Sequence, residues 1–301
     1  MTTPDRRILF VHAHPDDETI GNGATMARYA AEGAQVTLVT CTAGEEGEVL
    51  VPELEHLSVE RDDALGPHRV GELTAAMEAL GVSDFRFLGG EGHFRDSGMK
   101  WAEDGTATQA DATRDDTFWS ADLTVASDLL VEIIREVRPQ VVVTYDQFGN
   151  YGHPDHVQAH RVATYATDLA AVRSYRPDLG EAWTVPKLYW LAMSKSQMAE
   201  GIRHLRSKGD TTTFEGWDPD NLPWGSEDHE LDAVVDAGDF IDAKMDAMRA
   251  HATQIALDGP FFALSNNLGT QVWGSEHYRL ARGERGPVGP DGLETDLFAG
   301  L

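Results

Sequence analysis

Short apolar runs alternate along this chain with segments that have helical periodicity. The runs are rich in β-branched residues, and several of them are apolar throughout, which is typical of strands buried on both faces of a sheet. Strands that alternate with helices pair in parallel through right-handed crossovers. The sequence therefore predicts an α/β fold with a doubly wound, mostly parallel sheet of Rossmann type. The predicted strands cover residues 8–11, 35–40, 85–88, 141–145 and 187–193.

Apolar residues at spacings of three and four predict the helices between these runs. The first helix follows the first strand and closes at Gly33, where a glycine favours the end of a helix. Two others cover 67–80 and 123–137, and another follows His156. A last helix is predicted over about 240–255, and its apolar stripe indicates a face packed on the core.

Two long polar segments, 92–119 and 206–230, interrupt the alternation of strands and helices. Loops of this length are usually lids or binding loops. We predict that residues 1–185 form a Rossmann-like catalytic core. Residues 186–301 should add the last core strand and a small α+β extension that completes the substrate pocket, so that both parts form one compact unit.

The composition restricts the kinds of partner. The formal net charge is −27, and such a surface repels nucleic acid and anionic lipid, so we expect neither a nucleic-acid nor a membrane partner. The first apolar run is too short for a signal peptide, and no stretch approaches the roughly 20 apolar residues of a membrane span. The only cysteine, Cys41, has no partner for an internal disulfide. A cytoplasmic location is therefore expected.

Two matching tripeptides each follow a predicted buried strand. One is His-Pro-Asp at 14–16, and the other is His-Pro-Asp at 153–155. Ligands of open α/β sheets bind at the carboxyl ends of the strands. The two segments could therefore converge on one crevice, although they lie far apart in the sequence.

The residues around these tripeptides have the chemistry of a metal site. His14 and Asp17 are three positions apart, as are His153 and His156, and this spacing puts side chains on one side of a helix turn. A catalytic zinc ion takes three protein ligands and leaves one position for water. Two histidines and one carboxylate would suffice, and spacing alone leaves open whether His153 or His156 is the third ligand. An aspartate before a helix is usually a cap, but two such clusters at equivalent strand ends are harder to explain in that way.

These blocks resemble those of the LmbE/PIG-L family of zinc N-acetylglucosamine deacetylases. The first block reads VHAHPDDE and the second reads YGHPDHV. Further matches resemble the deacetylases of mycothiol biosynthesis within that family, which remove acetate from N-acetylglucosaminyl-inositol. These matches are VTCTAGEEGEV, RVGELTAA, RDSGM, VVVTYD, WTVPK, AHATQ, ALSNN and the closing ETDLFAGL.

The resemblance implies a role for each residue of the candidate site. It implies one metal ion per chain, Zn²⁺ or Fe²⁺, since two histidines and a carboxylate suit either ion. The segment 146–150, just before the second block, departs from the family pattern. The implied metal ligands are His14, Asp17 and His156, and the implied general base is Asp16. His153, held by Asp155, would be the general acid or oxyanion stabiliser, and Tyr151 would help to polarise the carbonyl. The residues implied to contact the sugar are Arg69, Asp96 and Met99.

Three other functions compete with a deacetylase of a small sugar substrate. An amidase of mycothiol S-conjugates would share every catalytic residue. A nucleotide-binding Rossmann module would need a glycine-rich phosphate turn after the first strand, where this chain has His-Pro-Asp-Asp. A sugar-binding relative without activity is expected to lose the base, and Asp16 is present.

Overall fold

The molecule is built around one seven-stranded sheet. The computed structural model describes residues 5–103, 105–111, 114–207, 209, 214–222, 224–256 and 274–301. The strands of the main sheet lie in the order β3-β2-β1-β6-β7-β9-β8, and a separate hairpin consists of β4 and β5. The nine strands are β1 (Arg7–His12), β2 (Gln35–Thr40), β3 (Asp84–Phe87), β4 (Met99–Trp101), β5 (Ala107–Gln109), β6 (Val141–Thr144), β7 (Lys187–Ala192), β8 (Ala233–Asp236) and β9 (Ser275–Arg282).

Five neighbouring strands of this sheet are parallel, as the sequence predicts; in spatial order they are β3, β2, β1, β6 and β7. Strand β1 pairs with β2 on one side and with β6 on the other, with Ile8 opposite Val141 and Phe10 opposite Val143. The chain order reverses between β1 and β6, and such a reversal opens a crevice at the carboxyl ends of the two strands. Both tripeptides begin at this crevice.

The described residues include six α-helices. They are α1 (Asp17–Ala31), α2 (Leu65–Leu80), α3 (Leu123–Val137), α4 (Pro154–Ala170), α5 (Lys195–Ser207) and α6 (Ile241–Ala250). Helices α1, α3 and α4 contact strands of the sheet; α1, α2 and α6 pack together, and α3 packs on α4. Helix α3 begins where the Asp122 carboxylate accepts Thr124 N at 2.8 Å, and it ends at Arg138, which precedes a proline. No helix of the described ranges is long and apolar enough to cross a membrane.

The structure differs from the sequence-based prediction mainly in the polar segments and beyond β7. Segment 92–119 contains the β4–β5 hairpin, and helix α5 precedes the second polar segment. The last helix stops at Ala250, whereas the sequence predicts about five more residues. Strands β8 and β9 are not among the predicted strands; β9 pairs antiparallel with β7, and β8 pairs antiparallel with β9 at the edge of the sheet. The ALSNN motif, 263–267, lies outside the described residues.

Candidate active site

The first half of the site follows β1 directly. The chain leaves β1 at His12, and helix α1 begins at Asp17. His14 is 7% exposed and lies in the intervening turn. Its backbone N–H donates to Asp17 Oδ2 at 3.1 Å, so the turn itself brings His14 and Asp17 together.

The second half of the site follows β6. Helix α4 has Pro154 in its first turn, a position that suits the fixed φ of proline. His153 occupies the N-cap position, and His156 lies in the same first turn of the helix. His153 and His156 are both buried. The predicted convergence of the two sequence blocks is therefore present in the fold.

The donor atoms from the two blocks form one tight cluster. Asp17 Oδ2 lies 3.2 Å from His14 Nδ1 and 3.3 Å from His156 Nε2. Ring nitrogens of His14, His153 and His156 lie within 4.8 Å of one another. The structure thus brings together both histidines between which spacing could not choose.

This cluster fits a divalent metal ion. Neither ring nitrogen of the buried His156 forms a hydrogen bond with a described residue, and its 3.3 Å approach to Asp17 is a contact only. Buried polar atoms without a partner are costly, and a bound ion would satisfy one of these nitrogens. Two imidazoles and a carboxylate are the donor set that catalytic zinc uses.

A buried hydrogen-bonded chain orients the Asp17 carboxylate. Tyr145 OH donates to Asp17 Oδ2 at 2.7 Å and accepts the Ala13 N–H at 2.9 Å. His12 Nδ1 lies 3.2 Å from the same hydroxyl, and Asn22 Nδ2 lies 2.8 Å from His12 Nε2. Burial lowers the pKa of His12 to about 4, so the neutral ring can donate to Tyr145 and accept from Asn22.

Asp16 is held in a strained backbone conformation beside the ligands. Its φ is 112°, which non-glycine residues rarely adopt, and its side chain makes no capping hydrogen bond to α1. The Asp16 side chain therefore does not act as a simple N-cap of α1. Burial raises the pKa of Asp16 to about 6, although Arg69, 3.3 Å from Oδ2, favours the ionised form.

His153 and Asp155 are hydrogen-bonded, but through the Asp155 backbone N–H and not through the Asp155 carboxylate. The Asp155 backbone N–H donates to His153 Nδ1 at 3.1 Å, so a neutral His153 ring carries its proton on Nε2. The Asp155 carboxylate instead accepts Ser97 N at 2.9 Å and lies 3.3 Å from His14 Nε2. The prediction that this carboxylate holds His153 is corrected accordingly, because the start of α4 turns it toward His14 and Ser97.

Tyr151 lies on a loop that the hairpin supports. The Ala107 N–H donates to the Tyr151 carbonyl at 2.8 Å. Gly152 has a φ of 102°, and a Cβ there would meet the Ala107 carbonyl oxygen at 2.5 Å, so only glycine fits. The Asp146 carboxylate accepts the N–H groups of Phe148 and Asn150, which orders the segment that departs from the family pattern.

A cavity of about 760 Å³ opens over this cluster, and the three predicted sugar-contact residues line it. Met99 lies on β4, and Asp96 lies 3.5 Å from His14 Nε2. Arg69 is only 2% exposed, and it donates to the carbonyl oxygens of Gly44 and Pro15. Arg69 thus supports the turn that carries the predicted base, and its sugar contact stays a prediction.

Several residues that organise the site were missed in the sequence. Tyr145 and His12 lie at the ends of strands. The presence of a polar side chain at the end of an apolar run was the available signal for each of them. Ser97 lies in the RDSGM segment, and its link to Asp155 depends on the path of a long loop. His251 follows α6 within the AHATQ match, which was the available signal, although its contact with Glu18 depends on the tertiary fold.

The sequence of this chain matches a known protein family. Residues 9–167 match the family profile described as "PIG-L: GlcNAc-PI de-N-acetylase". The chain belongs to this family. The matched PIG-L region runs from β1 into α4 and includes both ligand blocks.

Two relatives match along their whole lengths, and both are named 1D-myo-inositol 2-acetamido-2-deoxy-alpha-D-glucopyranoside deacetylase. The protein from Nocardioides sp. strain JS614 is 66% identical over 99% of this chain and 100% of its own length. The protein from Kribbella flavida is 65% identical over 99% of each chain. The family resemblance noted in the sequence is confirmed.

Solved structures share the α/β fold of this PIG-L chain. An N,N'-diacetylchitobiose deacetylase from Pyrococcus horikoshii has a TM-score of 0.60 and 19% identity, covering 91% of this chain and 83% of its own. A 4-carboxy-2-hydroxymuconate hydratase from Pseudomonas putida KT2440 has a TM-score of 0.62 and 19% identity, covering 94% and 99%. A deacetylase and a hydratase share the fold, so the function must be argued from the site.

Proposed function

We infer that this chain hydrolyses the acetamide of N-acetylglucosaminyl-inositol to glucosaminyl-inositol and acetate, a step of mycothiol biosynthesis. The full-length relatives that carry this name support the substrate. The observation that carries the chemistry is the convergence of His14, Asp17 and His156 beside the strained Asp16 at the floor of one cavity. The chain is an amide hydrolase of the PIG-L type.

The ligands of a metal ion would be His14, Asp17 and His156. One bound divalent ion per chain, zinc or ferrous iron, would activate a water molecule and polarise the acetamide carbonyl. Asp16 accepts the proton from the attacking water, and its carboxylate is available for this because it caps no helix N–H. The water oxygen bonds to the acetamide carbon, and the C–N bond then breaks.

His153 and Tyr151 face the developing charge on the carbonyl oxygen. The neutral His153 ring presents Nε2–H, since Nδ1 accepts the Asp155 N–H. Burial and the neighbouring His14 and His156 lower the pKa of His153, which favours oxyanion stabilisation over the alternative role of general acid. The leaving amine can then take the proton that Asp16 received.

A second candidate function is the cleavage of mycothiol S-conjugates. The part of the cavity near α5 is lined by the apolar side chains of Met193, Met198, Phe214, Trp217 and Trp224. A polyol offers this wall little to bury, whereas an S-conjugate with an apolar group would remove apolar area from water.

An amine-release assay with both substrates tests the proposal. We expect a higher kcat/KM for N-acetylglucosaminyl-inositol than for an S-conjugate, and about one equivalent of zinc or iron per chain in the same preparation. His156→Ala should lose the metal. A preference for the S-conjugate would establish the amidase, and full metal content in His156→Ala would overturn the ligand assignment.

A further inference from the structure

A buried pair of charged side chains lies behind the candidate base. His251 Nε2 lies 2.9 Å from Glu18 Oε1, and both side chains are fully buried. Burial disfavours the charged form of each group, yet Glu18 raises the pKa of His251, and His251 lowers that of Glu18. The two groups therefore stabilise each other as an ion pair.

The other oxygen of Glu18 reaches the backbone of Asp16. Asp16 N–H donates to Glu18 Oε2 at 2.9 Å, and Thr19 Oγ1 donates to Glu18 Oε1 at 2.6 Å. The φ of 112° at Asp16 is costly and persists only where surrounding contacts enforce it. Glu18 supplies one such contact, and Arg69 supplies another from the opposite side, through the Pro15 carbonyl.

His251 reaches this position from a different part of the chain. It follows α6, and the segment after it is anchored independently of Asp16, because Thr253 N and Oγ1 donate to Glu72 at 2.8 and 2.7 Å. The position of His251 is therefore set by α6 and by Glu72. Because contacts away from Asp16 fix the position of His251, His251 can in turn fix the rotamer of Glu18.

We propose that His251 is a positioning residue for the catalytic base, acting through Glu18 on the backbone of Asp16. The inference rests on the proposed function, because it takes Asp16 as the base. His251 needs no contact with the substrate in this role. Its effect should therefore appear in kcat, with little change in KM or in metal content.

Two amide replacements of His251 form a matched pair. The amide of His251→Gln can occupy the place of Nε2 and donate to Glu18, whereas the amide of His251→Asn is one methylene too short. We expect His251→Gln to keep kcat within about threefold. His251→Asn should lower kcat by roughly 10- to 100-fold, the scale of small displacements of reacting groups, with KM within about twofold.

A double-variant comparison separates positioning from general damage. If His251 acts through Asp16, His251→Asn should lower activity little further in an Asp16→Asn background, because groups that act as a unit are not additive. Glu294→Gln is the control for general destabilisation, since it breaks the buried pair with Lys187 without touching His251, Glu18 or Asp16. It should keep kcat within about twofold.

Each outcome has one meaning. Full kcat in His251→Asn, or equal losses in the Asn and Gln variants, overturns the inference. If His251→Asn does not fold, Glu18→Asp provides the second test, because the shorter side chain cannot reach Asp16 N and His251 together. Unchanged kcat in that variant also overturns the inference. Full activity in Asp16→Asn alone would instead reject the proposed base, so the two failures are distinguishable.

Discussion

Asp16 combines a strained backbone, a carboxylate that is 17% exposed and a neighbouring cation. The φ of 112° aims the side chain away from the helix N–H groups that an aspartate in this position would ordinarily cap. Such strain is found mainly where function requires it. The backbone conformation is thus itself evidence that Asp16 is not present for helix stability.

Replacing Asp16 by Asn should remove most activity and leave the metal in place. The amide has nearly the same shape but cannot accept a proton from water, so kcat should fall by roughly 10²- to 10⁴-fold. Steady-state kinetics and elemental analysis on one preparation test this. Activity within a few-fold of the unsubstituted chain would mean that another group is the base.

The pH profile should report the raised pKa of Asp16. The base works when ionised, so kcat/KM should be level at neutral pH and fall at acidic pH. Burial raises the pKa of Asp16 to about 6, and a bound divalent ion would favour the ionised form, so the acidic limb should lie at or below about 6. The measurement is kcat/KM between pH 4.5 and 8 at saturating metal. His153→Ala should lower the rate and retain this acidic limb, because His153 acts as a neutral donor in the proposed mechanism. An acidic limb that is unchanged in the residual activity of Asp16→Asn would contradict the assignment.

At the scale of the elements, two strand ends and the turns after them position every proposed metal ligand. Tyr145, directly after β6, connects the two halves of the site, since its hydroxyl bonds Asp17 on α1 and Ala13 after β1. Groups that orient a metal ligand in this way contribute to affinity for the metal.

Tyr145→Phe should therefore weaken metal binding. The change removes only the hydroxyl, and it leaves Asp17 Oδ2 without its 2.7 Å donor. We expect a loss of roughly 10- to 100-fold in metal affinity, measured by competition with a chelator. Tyr175→Phe, which removes a hydroxyl bonded to Asp128 away from the site, is the control. Equal affinities in the two variants would exclude an orienting role for Tyr145.

The strands and helices of the core were predictable because local patterns determine them. The predicted bounds of β2 and α3 match the structure, and β1, β6 and β7 differ by one or two residues. Strands β8 and β9 were missed because they are antiparallel and half-buried, and because β9 is shaped by its pairing with β7 and β8 by its pairing with β9. Propensity gives little information on such edges.

The site was predictable to the extent that its residues lie in the two sequence blocks. His14, Asp17 and His156 were chosen through the family resemblance, and the fold brings them together. The partners of Asp155 were not predictable, since they depend on where a long loop places Ser97. The AHATQ match drew attention to the segment that contains His251, but its link to Glu18 could not be predicted for the same reason, because it exists only in three dimensions.

At the scale of the whole molecule, a second buried ion pair ties the C-terminal segment to the sheet. Lys187 on β7 lies 2.6 Å from Glu294, and Tyr189 donates to the other oxygen of Glu294 at 2.6 Å. Lys187 also donates to the Ala299 carbonyl at 2.7 Å. The end of the chain is therefore part of the core of the fold.

Glu294→Gln should destabilise the protein without changing its chemistry. The substitution leaves the Lys187 charge buried without its counter-ion, which typically costs about 3–5 kcal/mol of unfolding free energy. Urea unfolding measures this change. Glu181→Gln, at the exposed pair with Arg138, is the matched control and should cost less than about 1 kcal/mol. Similar values for the two variants would show that the buried pair adds no special stability.

The adjacency of β1 and β6 also has a kinetic consequence. On the ribosome, β1 and β2 emerge and can pair early, but the other edge of β1 stays open until Val141–Thr144 has been synthesised. Closing a loop of that length is slow and leaves an apolar strand edge exposed in the meantime. During this interval only two of the three proposed metal ligands, His14 and Asp17, can be in place. We therefore expect the protein to bind its metal only after β6 has paired with β1. The rate of metal binding during refolding would then measure the rate at which β6 docks.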